Sequence, residues 1–523
     1  MGQPSVNLGN LLSAVQRLLN GSVAGYSFVI GGDGIAPTKY SWGQARTPAN
    51  GLPVPFESST RTNIGSVSKF LTAIAAVQLL DTPAANNLDS VMWPWLPKDW
   101  AVRDDAKPIT FRNLLTHTAG LPHDGPGADY FSLKSFMTSE ASPLGPLGVT
   151  AYSNLGFCLF RLLLPKLASL VQDDPSVPEQ KRADAYALAY EQLVREKVFG
   201  PLGVTGPSTQ TPEDNEHAWS YHSPDTSGYD WSTYTYPGQV WPSNGQPLIA
   251  GAGCWWVSID EITALLGNIN NLLGNVLSLS QWQTMQGIGA PAGYQNSGLG
   301  IDILVHPQNG QYRWVEKNGG DTGGDSTGGG VYTASIAFFG SMEPEIGSNG
   351  PLYAALFLNS DISGPGGDNS WFWCSQCATL ASPKNGGACP ATGKGHSSGG
   401  NYVISSAQKP GGQGNWRKCS KCGALCYEPS ATDPSKCPAD GQRHACTGET
   451  FVVTQVGKGT LQSQANWRWC KNCGVLAFSG GNSDGGKCAA GGPHQFILSG
   501  SNYALLGNAA DAVLADAFLE AIM

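Results

Sequence analysis

Between Trp371 and Leu505 the chain repeats itself three times, and every repeat carries the same set of soft ligands. Each unit runs Trp-x-x-Cys-x-x-Cys, then a Gly-rich turn, a third cysteine and a histidine: Cys374, Cys377, Cys389 and His396; Cys419, Cys422, Cys437 and His444; Cys470, Cys473, Cys488 and His494. A Cys-x-x-Cys knuckle lets two thiolates grip one ion from a single tight turn, and three cysteines with one histidine are the ligand set of a closed tetrahedral zinc site. Disulfides are the competing reading. An odd number of cysteines per unit cannot be paired off internally, and three of the eight histidines fall at matching positions, so up to three structural zinc ions are expected.

Cys426 and Cys446 belong to the middle unit alone and are available for one extra bridge there. Each unit closes on an aromatic strand, as in Asn401-Tyr402-Val403-Ile404, Thr450-Phe451-Val452-Val453 and Asn502-Tyr503-Ala504-Leu505. Small Gly-rich units of this kind need staples to stay folded. They resemble zinc-ribbon-like modules set in a row; three equal units closed into a pseudo-threefold β domain are the alternative.

Eleven of the thirteen cysteines lie between Cys374 and Cys488, while Cys158 and Cys254 stand alone, so the repeats form a compartment of their own. The join falls in the Gly/Pro/Ser stretch from Ile362 to Ser370. The expected organisation is a first domain over 1–362, repeat units over 371–412, 413–460 and 464–506, and a docking helix over 508–523, where Val513, Leu514, Ala517, Phe518 and Ile522 recur at helical spacing.

Composition removes several function classes. With 41% hydrophobic residues, 16 Trp and a net charge of only -9, the chain is not disordered. Its 30 Lys and Arg against 39 Asp and Glu provide no global positive field, which argues against nucleic acid as a partner. No apolar run reaches the 18 or so residues of a membrane-spanning helix, so no membrane partner is expected. The start, Met1-Gly2-Gln3-Pro4-Ser5-Val6, has no basic stretch and no apolar core. It reads as cytoplasmic, although a secreted chain trimmed of its leader would begin the same way.

The strongest chemistry lies in Asn63-Ile64-Gly65-Ser66-Val67-Ser68-Lys69-Phe70. After Gly65 the residues favour a helix with Phe70, Ile74, Val77 and Leu80 in one apolar stripe, so Ser66 opens a buried helix and Lys69 follows it on the same face. An ammonium in a water-poor site has its pKa lowered by desolvation, and Lys69 can then take the Ser66 proton near neutral pH. A lone Ser-x-x-Lys is weak evidence, because most such tetrads are helix surface. Here it is followed in order by Thr116-His117-Thr118-Ala119-Gly120-Leu121, Tyr152-Ser153-Asn154, Pro201-Leu202-Gly203, Gly253-Cys254-Trp255-Trp256 and Lys317-Asn318-Gly319-Gly320.

In this order and spacing the segments resemble the serine β-lactamase and penicillin-binding-protein superfamily, in its class C β-lactamase, D-peptidase and family VIII esterase branch. The likeness runs from about Leu18 to Asn359. It implies an α+β, two-lobed fold, an antiparallel sheet flanked by helices plus an all-helical lobe, with the active site in the seam. It further implies Ser66 as nucleophile, Lys69 as base or proton relay, Tyr152 as the phenol that shuttles a proton to the leaving group, and Asn154 as a hydrogen-bond donor that orients Lys69 and the substrate. Lys317 would be the cation of the third motif, and the backbone N–H groups of Ser66 and Gly320 would form the oxyanion hole. A tyrosine between two cations has its phenolate favoured by charge. No cofactor is implied for the reaction.

Asn318 stands where the family usually has a hydroxyl residue, which weakens the contact to a penicillin-type carboxylate. His117 reads as a hydrogen-bonded packing residue, not as a triad base. Asp225, Asp260, Asp302 and Asp325 read as isolated caps and turns. Arg182 to Val198 reads as an amphipathic helix with Tyr186, Leu188 and Leu193 on its apolar side. The loop holding Trp219, Tyr221, Tyr229, Trp231, Tyr234, Tyr236 and Trp241 either walls an apolar or aromatic substrate pocket near the cleft or merely packs on the core. The expectation is a serine hydrolase that forms an acyl-enzyme on Ser66 and hydrolyses or transfers the acyl group of a small ester or lactone. A D-amino-acid peptidase or β-lactamase cutting amides comes second, and an inert binding protein that uses the repeats third. Oligomeric state is not legible.

Overall fold

The computed structural model describes residues 7–81, 87–122, 128–141, 143–213, 216–221, 238, 249–289, 298–305, 313–321, 332–339, 351–360, 368–374, 376–382, 387–396, 398–404, 412–427, 435–455, 464–479, 486–497, 502–505, 514 and 517. Helix α1 (Leu8–Leu19) starts where the Asn7 side chain accepts from the Asn10 N–H, and it buries Leu11, Ala14, Val15 and Leu19. Strands β1 (Gly25–Gly32) and β2 (Ile35–Arg46) follow as a hairpin, with the short β3 (Val54–Pro55) on the outer edge. After β4 (Thr62–Asn63) a 3₁₀ turn over Gly65–Val67 leads into α2 (Ser68–Leu80). The expected stripe of Phe70, Ile74, Val77 and Leu80 is buried, and so is every residue from Phe70 through Val77, so the helix is packed on every face.

Helices α3 (Phe111–Leu115), α4 (Tyr130–Thr138), α5 (Asn154–Leu167) and α6 (Glu179–Val194) come next. They share one apolar core with α2. The expected helix at Arg182 to Val198 begins earlier, gives way to a π turn over Arg195–Phe199, and leaves Leu188 71% exposed, so Leu188 is not on its apolar side. Strand β5 (Trp256–Val257) pairs with β4, and α7 (Ile259–Asn270) and α8 (Leu279–Met285) bring the chain back to the sheet. Strands β6 (Asp302–Val305), β7 (Arg313–Asp321), β8 (Tyr332–Phe339) and β9 (Leu352–Leu358) complete it. The result is a seven-stranded antiparallel sheet in the order β3-β2-β1-β9-β8-β7-β6.

Alternation along the central strands sorts side chains between two cores. Val29, Ile336, Tyr353 and Phe357 face α2, α7 and α8. Phe28, Ile30, Ala354, Leu356 and Leu358 face the other way, onto Leu11 and Val15 of α1 and onto Leu514 and Ala517 from the end of the chain. The mixed α+β architecture is thus as expected. Among the described residues no helix is long and apolar enough to cross a membrane.

The repeats supply β10 (Asp368–Cys374), β11 (Leu380–Ala381) and β12 (Ser398–Ile404) from the first unit, β13 (Gly412–Cys419), β14 (Leu425–Cys426) and β15 (Cys446–Gln455) from the second, and β16 (Gln464–Trp469), β17 (Leu476–Phe478) and β18 (Tyr503–Leu505) from the third. In each unit the first strand pairs antiparallel with the other two. The units do not stand in a row. Trp371 of the first meets Phe451 of the second edge-to-face at 5.2 Å, Trp416 of the second meets Tyr503 of the third at 5.4 Å, and Trp467 of the third meets Tyr402 of the first at 5.1 Å. All three tryptophans are fully buried in one cluster, so the units close into the pseudo-threefold arrangement. Cys426 and Cys446 form the extra disulfide of the middle unit.

Candidate active site

Ser66 lies in the 3₁₀ turn just before α2 and not in the helix itself, but the turn runs straight into the helix and keeps Ser66 and Lys69 one turn apart. Lys69 Nζ donates to Ser66 Oγ at 2.9 Å, to Asn154 Oδ1 at 2.8 Å and to the Ala252 carbonyl at 2.8 Å. Three acceptors match the three N–H donors of an ammonium, and in the neutral amine two N–H bonds to Asn154 and Ala252 leave the lone pair directed at Ser66 Oγ. The Tyr152 hydroxyl is 2.6 Å from Ser66 Oγ. Ser153 caps α5, holding Tyr152 just ahead of the helix that carries Asn154.

Lys317, on β7, places Nζ 5.6 Å from the centre of the Tyr152 ring, while Lys69 Nζ lies 4.9 Å from the same centre on its own approach. Glycine lets β7 reach this site. A Cβ on Gly319 would sit 2.5 Å from Ser66 N and one on Gly65 2.6 Å from Gly320 N, so either substitution would force the strand off the turn. Ser66, Lys69, Tyr152, Asn154, Lys317 and Gly320, widely separated in sequence, therefore converge. Ser68, the neighbouring hydroxyl, accepts from Trp255 N at 3.2 Å and is fully buried.

Burial lowers the pKa of Lys69 below the ordinary lysine range, and the Lys317 charge lowers it further against the opposing pull of Tyr152. Burial pushes the Tyr152 phenol up, but Lys69 and Lys317 outweigh it and bring the phenol below its ordinary value. Lys317 is also buried, yet Asp302 holds its pKa above the usual value. The pattern is two groups pushed toward their base forms beside one cation kept charged.

Three groups contribute to the site in ways the sequence did not indicate. The Ala252 carbonyl carries no side-chain signal at all. His117 has its backbone in the left-handed region at φ 57°, accepts from Ser153 N through Nδ1 at 3.0 Å, and stacks on Tyr152 with ring centres 4.5 Å apart. It is a packing residue as expected, but what it packs is the phenol. Asp302 is neither cap nor turn: it lies on the edge strand β6 and pairs with Lys317 at 2.9 Å. Asp260 pairs with Lys39 at 2.7 Å, and Asp225 and Asp325 lie outside the described residues. Of the aromatic loop, Trp219 stacks under Arg46 and Tyr221 is buried against Thr47 and Asn50; Tyr229, Trp231, Tyr234, Tyr236 and Trp241 lie outside the described residues. Cys158 and Cys254 are buried thiols, and burial pushes Cys254 up to about 12.

Residues 13–372 match the family described as Beta-lactamase, about two-thirds of the chain. The chain belongs to the beta-lactamase family. A D-alanyl-D-alanine-carboxypeptidase/endopeptidase AmpH of Escherichia coli (strain K12) is 27% identical over 186 residues, 34% of this chain and 43% of that protein. Beta-lactamase-like protein 2 of Dictyostelium discoideum is 27% identical over 172 residues, 30% of this chain and 28% of its own length. The chain thus spans less than half the length of these curated relatives. Among solved structures, the octameric penicillin-binding protein homologue from Pyrococcus abyssi is similar with a TM-score of 0.49 and 20% identity, covering 68% of this chain and 74% of that one.

The three Cys/His clusters of the family member's repeats have all their ligand atoms within 4.8 Å of one another. The Sγ–Sγ separation is 3.9 Å for Cys374–Cys389, Cys419–Cys437 and Cys470–Cys488. Sγ to Nδ1 is 3.4 Å for Cys377–His396 and Cys422–His444, and 3.5 Å for Cys473–His494. A tetrahedral zinc with Zn–S of about 2.3 Å and Zn–N of about 2.0 Å sets its ligands roughly 3.8 and 3.5 Å apart, so the donors present fit the ion. These eleven cysteines outside the Cys426–Cys446 bridge, Cys158 and Cys254 included, are all free thiols.

Proposed function

We propose that the protein is a serine acyl hydrolase in which Ser66 forms an acyl-enzyme. The observation that carries this reading is the Ser66 hydroxyl held between Lys69 Nζ and the Tyr152 hydroxyl. As Ser66 Oγ attacks a carbonyl carbon, its proton passes to the base formed by Lys69 and Tyr152. The carbonyl oxygen becomes an oxyanion, which the N–H groups of Ser66 and Gly320 stabilise. Collapse breaks the bond to the leaving group, which takes the proton from Tyr152, and water then releases the acyl group by the reverse relay.

An ester or lactone is the first substrate class, because Asn318 removes the hydroxyl that would help hold a carboxylate. Amides of D-amino acids or β-lactams are the second, favoured by the retained Lys317. A panel of p-nitrophenyl esters, nitrocefin and a D-Ala-D-Ala peptide orders these classes: ester turnover that disappears in Ser66→Ala supports the reading, and turnover of nitrocefin or peptide alone reverses the order. Fluorophosphonate labelling that persists in Ser66→Ala refutes it. In the repeats, each Cys₃His set is proposed to hold one structural zinc ion, which cross-links the knuckle to the third cysteine and the histidine and supplies no catalytic chemistry.

A further inference from the structure

The two lysines of the site are not alike in their company. Among the described residues Lys69 donates to neutral acceptors, whereas Lys317, itself 3% exposed, has its ammonium on the Asp302 carboxylate, which is 48% exposed. Glu316, buried next to it in the chain, adds a second negative charge nearby. In the reaction proposed above the Tyr152 hydroxyl protonates the leaving group, so the cation nearest the Tyr152 ring besides Lys69 marks the leaving-group end of the cleft. There the charge of Lys317 is already neutralised by the protein. A substrate carboxylate arriving at that end would have to displace Asp302 or sit beside it, and like charges at such spacing repel strongly in a partly buried site.

We infer that Asp302 is a specificity-determining residue that selects acyl substrates whose leaving group is uncharged and excludes those whose leaving group carries a free carboxylate. The inference rests on Ser66 being the nucleophile, and its test separates the two. Two matched esters, phenyl phenylacetylglycinate and its 3-carboxyphenyl counterpart, differ only by a carboxylate on the leaving group. The native protein should prefer the neutral ester by tenfold or more in kcat/KM. Asp302→Asn and Asp302→Ser should each narrow that preference about tenfold by raising kcat/KM for the carboxylate ester relative to the neutral one, with Ser66 still labelled by fluorophosphonate in both variants. If labelling of Ser66 fails in the native protein, the nucleophile assignment falls. If labelling is intact but the native protein prefers the carboxylate ester, or both variants leave the ratio where it was, the role of Asp302 is overturned.

A second, independent inference comes from the repeats. Each histidine offers Nδ1 to its own cysteines and turns Nε2 to the next unit: His396 Nε2 meets the Cys422 carbonyl at 3.1 Å, His444 Nε2 the Cys473 carbonyl at 2.9 Å, and His494 Nε2 the Cys377 carbonyl at 3.0 Å. A carbonyl can only accept, so each Nε2 carries the proton and each Nδ1 lone pair is left for the ion. The acceptor in every case is the backbone of the second knuckle cysteine of the following unit. Ligand and latch therefore alternate around a closed circle: each site's histidine braces the knuckle of the next, and the third braces the first. Further strand bridges join the same neighbours, Ala381 with Ala424, Cys426 with Val475 and Thr379 with Ala477.

The geometry points to three metal sites that load as one unit, because a histidine fixed by an ion in one unit pre-orients a ligand of the next. Native mass spectrometry of the full chain, stripped of metal under reducing conditions and titrated with Zn²⁺, should show mainly the metal-free and three-metal forms, with one- and two-metal forms scarce. His444→Cys keeps a complete ligand set but removes the N–H to the Cys473 carbonyl; it should still reach three metals while partly loaded forms accumulate several-fold. Stepwise loading of the native chain overturns the inference, as does all-or-none loading that survives in His444→Cys and in the parallel variant His396→Cys.

Discussion

Lys69 Nζ lies 2.9 Å from Ser66 Oγ, a contact made across a single turn of backbone and sealed from water by the burial of Lys69. Desolvation lowers the lysine pKa, and the charges of Lys69 and Lys317 together bring the Tyr152 phenol down against the effect of its burial. In the proposed reaction the acylating form is the one that has lost a proton from this pair. Activity should therefore rise from acid toward neutral pH and level off well below the range in which an ordinary lysine titrates. Because the Lys317 charge lowers both groups, Lys317→Met should move the acid limb of the kcat/KM profile to higher pH. A limb that stays in place in that variant would separate Lys317 from the proton relay.

Chemical labelling tests the relay more directly. Lys69→Ala removes the amine of the proposed proton relay but leaves the hydroxyl, so Ser66 should react with a fluorophosphonate about 10²–10⁴ times more slowly, the usual contribution of a positioned proton acceptor. The folded state should survive the loss of a side chain that makes three hydrogen bonds only if its acceptors find water, so near-UV circular dichroism accompanies the rate measurement.

His117 predicts a split between two functions of one ring. Its Nδ1 accepts from Ser153 N, and its face stacks on Tyr152. Asparagine tolerates a left-handed backbone and can still accept that N–H, whereas alanine can do neither. His117→Asn should then preserve the thermal midpoint better than His117→Ala while both lower kcat, since neither holds the phenol ring. Equal kcat in the native protein and both variants would show that Tyr152 needs no such support.

How much of this was legible follows from where the information is stored. Ser66 and Lys69 are three residues apart, so helical geometry alone predicts their contact, and the Cys-x-x-Cys knuckles likewise encode their own turn. Gly423 and Gly474 follow two of those knuckles at φ 77° and 79°, but Ala378 takes the same left-handed conformation in the first unit, where no glycine signals it. Asp302 was misread because its partner lies one strand away, a pairing that depends on sheet register. The stripe expected on α2 is buried, but that the other faces of the helix are covered as well is decided by the rest of the fold. The closed order of the repeats was open in the sequence because equal units specify neighbours without specifying whether the last returns to the first.

The zinc assignment makes a prediction that separates the repeats from the active site. Structural zinc contributes its binding free energy to folding, so chelation should unfold the repeats and leave the β1-to-β9 sheet intact. On treatment with a chelator and a thiol-blocking reagent, a metallochromic dye should report three Zn²⁺ released per chain, and tryptophan fluorescence should change as Trp371, Trp416 and Trp467 become exposed. Labelling of Ser66 should persist. Release of no metal, with all nine cluster cysteines reacting freely in the folded protein, would leave the clusters without an ion.

The last prediction concerns the end of the chain. Leu514 and Ala517 are buried on the outer face of the seven-stranded sheet, against α1 and strands that begin near residue 25 and end at Leu358. The repeats are therefore inserted between the last strand of that sheet and a segment that covers it, and a cut at the Gly/Pro/Ser join would strip the cover along with the repeats. Truncation after residue 367 should give a protein that aggregates, because Phe28, Leu356 and Leu358 lose part of their packing. A chain in which 1–366 is joined by a short linker to 507–523 keeps the cover and should remain soluble, with Ser66 still open to labelling. Leu514→Ala in the full chain tests the same contact at one side chain and should cost about 2–5 kcal/mol in chemical denaturation, the range for a buried leucine. A stable truncated protein together with an unaffected Leu514→Ala would show that the terminal segment packs there without supporting the sheet.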